Sequence, residues 1–207
     1  MRSFFLLTMV AASGFISVRL TAQPDTTHVS NSRQLYIDVH HLGAGKVTWK
    51  ALAEAHRKDL AAQGKYDVQF LQYWVDEARG NVYCLSSSPD TKAIRETHAA
   101  AHGLLPDDIC PVIDGKEAPL NGEKHFFLDV HEMGAGNVSA KDLPAAQEKN
   151  LSIQELYGVH FINYWADEKD GLLICLSQAR RSTAVIKTHK AGHGLAPTYI
   201  MKVRQGK

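Results

Sequence analysis

Residues 35–109 recur without a gap as residues 126–200, a constant shift of 91 positions with about 33 of the 75 aligned pairs identical. Identical pairs include Asp38/Asp129, His40/His131, Tyr73/Tyr164, Trp74/Trp165, Cys84/Cys175, His98/His189 and His102/His193. Internal repetition fixes the size of the folding unit before any other reading is made. A long period present twice does not suit a solenoid, which stacks several short units. A lone unit this small would bury only about 60% of its unfolded surface and be marginal without a partner. A second copy in the same chain supplies one.

Each copy opens with an alternating run, Leu35-Tyr36-Ile37-Asp38-Val39-His40, in which Leu35, Ile37 and Val39 share one face and Tyr36, Asp38 and His40 the other. Next come Val47, Leu52, Ala55, His56 and Leu60 at helical spacing, with Thr48 or Ser139 as candidate caps. Two strands, Val68–Val75 and Val82–Ser86, flank the turn Asp76-Glu77-Ala78-Arg79-Gly80. A second helix after Pro89-Asp90 carries Ile94, His98 and His102 and stops at Gly103, and a last strand lies near Ile109–Ile113.

That order is βαββαβ, the split βαβ arrangement of a ferredoxin-like fold. The expected class is α+β, with two such domains forming an intramolecular pseudo-dimer resembling an α+β barrel. In this reading the helices cover one face of each sheet, and the half-polar face bearing Tyr36, Asp38 and His40 is covered by the other sheet. The expected segments are 1–22 as a signal peptide, 23–33 as a flexible leader, 34–113 and 125–207 as the two repeats, and 114–124 as a linker.

The signal reading rests on Arg2, the short apolar run from Phe4, and the small-residue ending Leu20-Thr21-Ala22, with Gln23 opening the mature chain. It implies a periplasmic or secreted protein with no membrane anchor after cleavage. A formal net charge of +1 and the lack of a long basic run argue against nucleic acid as a partner. Cys84 and Cys175 fall inside apolar runs and read as buried thiols, or as two groups meeting across a pseudo-two-fold; Cys110 has no counterpart.

The chemistry concentrates in histidines. His98 and His102, like His189 and His193, are four apart on a helix, which stacks two imidazoles on one face. The topology brings that helix end near the end of the first strand, which carries His40-His41 in one copy and His131-Glu132 in the other, so a divalent metal could be held in each half. His56, which becomes Gln147, reads as exposed helix surface, Tyr73 and Trp74 as core, and Asp76-Glu77 as a solvated turn. The alternative is a dimeric α/β-barrel-like enzyme of oxygenase or isomerase type, with Asp38/His40 and Asp129/His131 as acid–base pairs in the barrel interior. The chain has no nucleophile elbow, phosphate loop or Rossmann fingerprint, so an enzyme would have to rest on the metal or on a pocket.

Ala55-His56-Arg57-Lys58-Asp59-Leu60, Gln72-Tyr73-Trp74-Val75-Asp76-Glu77, Val82-Tyr83-Cys84-Leu85 and Thr97-His98-Ala99-Ala100-Ala101-His102-Gly103-Leu104 resemble a family of small nickel-binding, ferredoxin-like bacterial proteins first catalogued as a domain of unknown function. The resemblance spans both copies. It implies a homodimer-like protein fused into one chain, working as a monomeric pseudo-dimer or self-associating further, with nickel as its metal. Imidazole donors by themselves suit zinc and copper as well. The second copy departs at Gln147 and Glu132, and the signal peptide is a further departure.

Overall fold

The two repeats close one antiparallel β-barrel between them. The protein is described from a computed structural model covering residues 33–207 except 116, 121, 123 and 124; the signal-peptide and most of the leader expectations lie outside the described residues. Repeat 1 comprises β1 (Gln34–His41), α1 (Trp49–Ala62), β2 (Gln69–Asp76), β3 (Asn81–Ser88), α2 (Thr91–Ala101) and β4 (Asp108–Asp114). Repeat 2 follows the same order: β5 (His125–Glu132), α3 (Leu143–Tyr157), β6 (His160–Asp167), β7 (Leu172–Ala179), α4 (Ser182–Gly192) and β8 (Tyr199–Gly206).

Around the barrel the strands run β1-β3-β2-β8-β5-β7-β6-β4. Each repeat keeps its four strands contiguous, and the ring is sealed twice between repeats. At one seam Tyr73–Val75 pair with Arg204–Gly206; at the other Ile113 and Asp114 pair with Ala166 and Trp165. No sheet edge remains within the ring, which removes the row of unpaired backbone groups that an open sheet exposes. Among the described residues no helix is long and apolar enough to cross a membrane.

Local chemistry explains the element ends. The Thr48 hydroxyl accepts from Ala51 N (3.2 Å) and Asp90 Oδ1 from Ala93 N (2.8 Å), capping α1 and α2. Ser139 accepts from Lys141 N instead, and α3 starts beyond it with Pro144 in its first turn. At the other end of α2 the His98 carbonyl accepts from both His102 N and Gly103 N, and Gly103 takes φ +80°.

The turn Asp76–Gly80 is held from within rather than solvated. Asp76 is 2% exposed, and its Oδ1 accepts from Ala78 N and Arg79 N. Gly80 adopts φ +75°, and a Cβ there would fall 1.8 Å from the Gly43 carbonyl oxygen, because Leu42 N donates back to Gly80 O at 2.9 Å.

Burial reverses one expectation about the faces. The barrel interior is apolar: Ile37, Val39, Trp74 and Leu85 from repeat 1 pack with Leu128, Val130, Trp165 and Met201 from repeat 2. Tyr36 lies on the opposite side of β1, in the layer under the helices with Leu52, Ala93 and Ile94. Asp38 and His40 share that side, facing His98 of α2. The interior acid–base reading for Asp38/His40 and Asp129/His131 therefore does not hold: the interior packs aliphatic, aromatic and thioether side chains, and Asp38, His40, Asp129 and His131 lie on the helix side.

Candidate metal centre

Under α2, five polar side chains of repeat 1 gather in a buried layer. Asp38 and His40 come from β1, Asp59 from the inner face of α1, His98 from the last turn of α2 and His102 from its C-cap. Asp38 is 0% and His98 1% exposed. His98 connects two donor groups. Its Nε2 stands 3.4 Å from Asp38 Oδ1, which is 3.2 Å from His40 Nε2. Its Nδ1 stands 3.0 Å from Asp59 Oδ1 and 3.3 Å from His102 Nε2, while His102 Nε2 is 3.1 Å from Asp59 Oδ1.

Repeat 2 rebuilds the layer with one exchange. Asp129 Oδ1 lies 3.2 Å from His131 Nε2 and 3.1 Å from His189 Nε2, and His189 Nδ1 lies 2.9 Å from His193 Nε2. In place of Asp59 stands Asn150, whose Nδ2 is 3.2 Å from His189 Nδ1. The three imidazoles of this half are in mutual contact, with ring centroids 4.9–6.0 Å apart.

The charges follow from burial and neighbours. Burial pushes the Asp38 carboxyl up, but the imidazoles of His40 and His98 outweigh it and leave the group below its usual value; Asp129 behaves alike between His131 and His189. Asp59 is likewise held low against its own burial by His102 and His98. For His98 burial acts downward, yet Asp38 on one ring nitrogen and Asp59 on the other lift it to about 9. His193 goes the other way, to about 4, through burial and the neighbouring His189 and His131. Burial and the adjacent carboxylates push the thiols of Cys84 and Cys175 well up, so both are protonated at neutral pH.

Do these residues fit a metal ion? Both Asp38 oxygens, His98 Nε2, both Asp129 oxygens, His131 Nε2 and His189 Nε2 are buried without a hydrogen-bond partner, although nitrogen and oxygen approach to 3.1–3.4 Å. At that separation the groups attract as ion pairs while their hydrogen-bonding capacity stays open. Leaving several such atoms unsatisfied costs roughly 1–3 kcal/mol each, more for a charged group. Three groups bring their ligand atoms within 4.8 Å of one another: Asp59, His98 and His102; Asp38, His40 and Cys84; and Asp129, His131, Cys175 and His189. Neighbouring ligands on an octahedral ion with bonds of about 2.1 Å sit about 3 Å apart, the spacing seen here. The donors fit a divalent ion.

His40, His98 and His102 are thus brought together, as are His131, His189 and His193. His41 and Glu132 are not. The His41 side chain turns to solvent, with Nδ1 3.2 Å from Asn81 Oδ1 and Nε2 3.9 Å from Asp108. Glu132 is exposed, and its recorded bond is from its backbone N–H to Thr198 Oγ1. Each follows its histidine by one residue, and the pleat points it away.

Residues overlooked in the sequence are Asp59, Asn150 and the two thiols. Cys84 and Cys175 lie directly across the ladder from Asp38 and Asp129, on the helix side of the barrel, and both are free, as is Cys110. The signal for Asp59 was present: Leu52, His56 and Asp59 fall at i, i+4 and i+7 on one helix face, and all three are buried. His56 is accordingly not surface; its ring packs 4.5 Å from that of Tyr73.

A cavity of about 200 Å³ reaches the repeat 1 layer, walled by Leu42, Val47, Leu52, Val82 and Leu104 and ending on His40, Asp59, His98 and His102. In repeat 2 a wider opening of about 390 Å³ lies over His131 and His193, and the space touching Asn150 and His189 shrinks to about 20 Å³.

Comparison with curated proteins gives no match. Among solved structures, SCO4226 from Streptomyces coelicolor A3(2) is 35% identical over 42% of this chain and 99% of its own, with a TM-score of 0.35. An anthrone oxidase-like protein is 9% identical over 84% of this chain and 92% of its own, with a TM-score of 0.38. The family model described as nickel responsive protein SCO4226-like matches twice, at residues 36–112 and 127–203, so the chain belongs to the SCO4226-like family and carries two copies of its domain.

Proposed function

We propose that this protein binds divalent metal of nickel type and is exported, buffering or sequestering the ion outside the cytoplasm. In this reading the chain is a pseudo-dimer of two ferredoxin-like domains, and each half carries one ion at the foot of its second helix. The observation that carries the proposal is that each half gathers imidazole and carboxylate ligand atoms within 4.8 Å of one another, at Asp59, His98 and His102 in repeat 1 and at Asp129, His131 and His189 in repeat 2. Membership of a nickel responsive family favours nickel, and nitrogen and oxygen donors at cis-octahedral spacing suit an ion that accepts six ligands. His98 and His102 would hold the ion in repeat 1, with His40 beside them; His189, His193 and His131 are the counterparts. Bound there, the ion would act as cargo, and the carboxylates of Asp38 and Asp129 at the far nitrogens of His98 and His189 would fix the tautomers of those two rings. Export is supported by Arg2, the apolar run and the Leu20-Thr21-Ala22 ending.

Dialysis against nickel followed by elemental analysis tests the proposal. The wild type should retain about two ions per chain, and His98→Ala/His102→Ala and His189→Ala/His193→Ala about one each. Equal metal content in all three proteins would overturn it. Mass spectrometry of the protein from a periplasmic or culture fraction should give a chain beginning at Gln23.

A further inference from the structure

We infer that the two halves are not equivalent metal sites: Asp59 makes repeat 1 a two-histidine, one-carboxylate centre of high affinity, and Asn150 makes repeat 2 a weaker one. The inference deepens the metal-binding reading and rests on it. Asp59 Oδ1 touches both helical histidines, at 3.0 Å from His98 Nδ1 and 3.1 Å from His102 Nε2. Three donors with edges of 3.0, 3.1 and 3.3 Å form one triangular face of a coordination sphere, and one of them brings a negative charge. At the same place in repeat 2, Asn150 is neutral. Its Nδ2 faces His189 Nδ1, an arrangement that occupies the lone pair a metal would need, and its Oδ1 is buried without a partner. Turning the amide over offers only an uncharged oxygen.

The surrounding packing has changed with it. Ala101 of repeat 1 corresponds to Gly192, where a Cβ would lie 2.6 Å from Asn150 Oδ1, so α4 sits down on the amide. Val82 corresponds to Leu173, which lines the residual space of about 20 Å³ beside Asn150, where repeat 1 keeps about 200 Å³ open to Asp59. An ion at Asp59 therefore has open cavity beside its carboxylate; in repeat 2 the opening of about 390 Å³ lies over His131 and His193, and only about 20 Å³ remains at Asn150 itself.

Nickel titration of the full chain by calorimetry, with far-ultraviolet circular dichroism as a fold control, separates the outcomes. His189→Ala leaves repeat 1 as the single site, and adding Asp59→Asn should weaken it at least tenfold, because losing even an outer-shell partner of a ligand costs about 10–100-fold. His98→Ala leaves repeat 2, and adding Asn150→Asp should tighten it by a comparable factor. The reciprocal gain guards against a variant that merely unfolds. Two equal sites in the wild type, or unchanged affinity in both exchanges, would overturn this inference while leaving metal binding intact. No nickel bound by the wild type would overturn both.

Discussion

Trp74 of repeat 1 and Trp165 of repeat 2 meet inside the barrel, ring centroids 5.0 Å apart and planes at 55°, at the same position of the duplicated sequence. Each is almost fully buried, and the Trp74 indole N–H donates to Gln205 Oε1 of β8 at 3.0 Å. The contact ties the halves at the barrel's centre, so neither repeat owns the core that its inner face needs. Trp74→Ala should cost about 3–5 kcal/mol, the usual range for emptying a buried aromatic site. Because the interior core is common property, the loss should lower the urea midpoint of one cooperative transition. Two separate transitions, with repeat 2 unaffected, would contradict a shared core.

A second stability test lies at the β2–β3 turn. Gly80 needs its positive φ, and its α-carbon sits against the Gly43 carbonyl, leaving no room for a methyl group. Gly80→Ala should destabilise the fold by about 2 kcal/mol or more through backbone strain and displacement of the 42–45 loop. The same argument applies to Gly171, where a Cβ would fall 1.8 Å from the Gly134 oxygen. Gly45→Ala is the contrast: it shares a positive φ but meets nothing within 4 Å, so it should cost about 1 kcal/mol. Thermal melts of the three variants give the ranking.

Much of this architecture is legible in the residues, and its failures have physical causes. The repeat and the βαββαβ order follow from periodicity and turn residues, which are local. The alternation of β1 states which residues share a face. It cannot state which face meets the helices when both are covered, and Asp38 and His40 suggested an uncovered side because polarity normally means water. Here the polarity is answered by His98 instead. Asp59 is hard to read for a related reason, since an acid on a helix usually faces solvent, whereas α1 turns Leu52, His56 and Asp59 inward together. Adjacency in sequence groups His41 and Glu132 with the inward histidines, but adjacency along a strand means opposite directions.

That last point can be checked directly. His41→Ala and Glu132→Ala should leave nickel stoichiometry and affinity unchanged, since both side chains point out of the layer. His40→Ala and His131→Ala should each weaken one site, because their rings lie 5.1 Å and 4.9 Å from those of His98 and His189. Equilibrium dialysis of the four variants distinguishes the inward from the outward residue of each pair.

The metal-free protein should be most stable near pH 6.5, for opposite reasons in its two halves. In repeat 1, folding raises His98 from 6.5 to about 9, so the folded state holds the proton more tightly than the unfolded one. That contribution, on the order of 3 kcal/mol, is fully present below pH 6.5 and is lost as the pH rises through 9. In repeat 2, folding depresses His193 to about 4, so there the unfolded state binds the proton more readily. Its contribution is present above pH 6.5 and fades as the pH falls toward 4. Asp38, Asp59 and Asp129, all held low by imidazoles, add to the loss on the acid side. Urea midpoints measured from pH 4 to pH 9.5 in the presence of a chelator should therefore trace a maximum. His98→Gln should flatten its alkaline limb and His193→Gln should reduce its acid limb. An alkaline limb that survives His98→Gln unchanged would show that the His98 imidazolium held between Asp38 and Asp59 does not stabilise the fold.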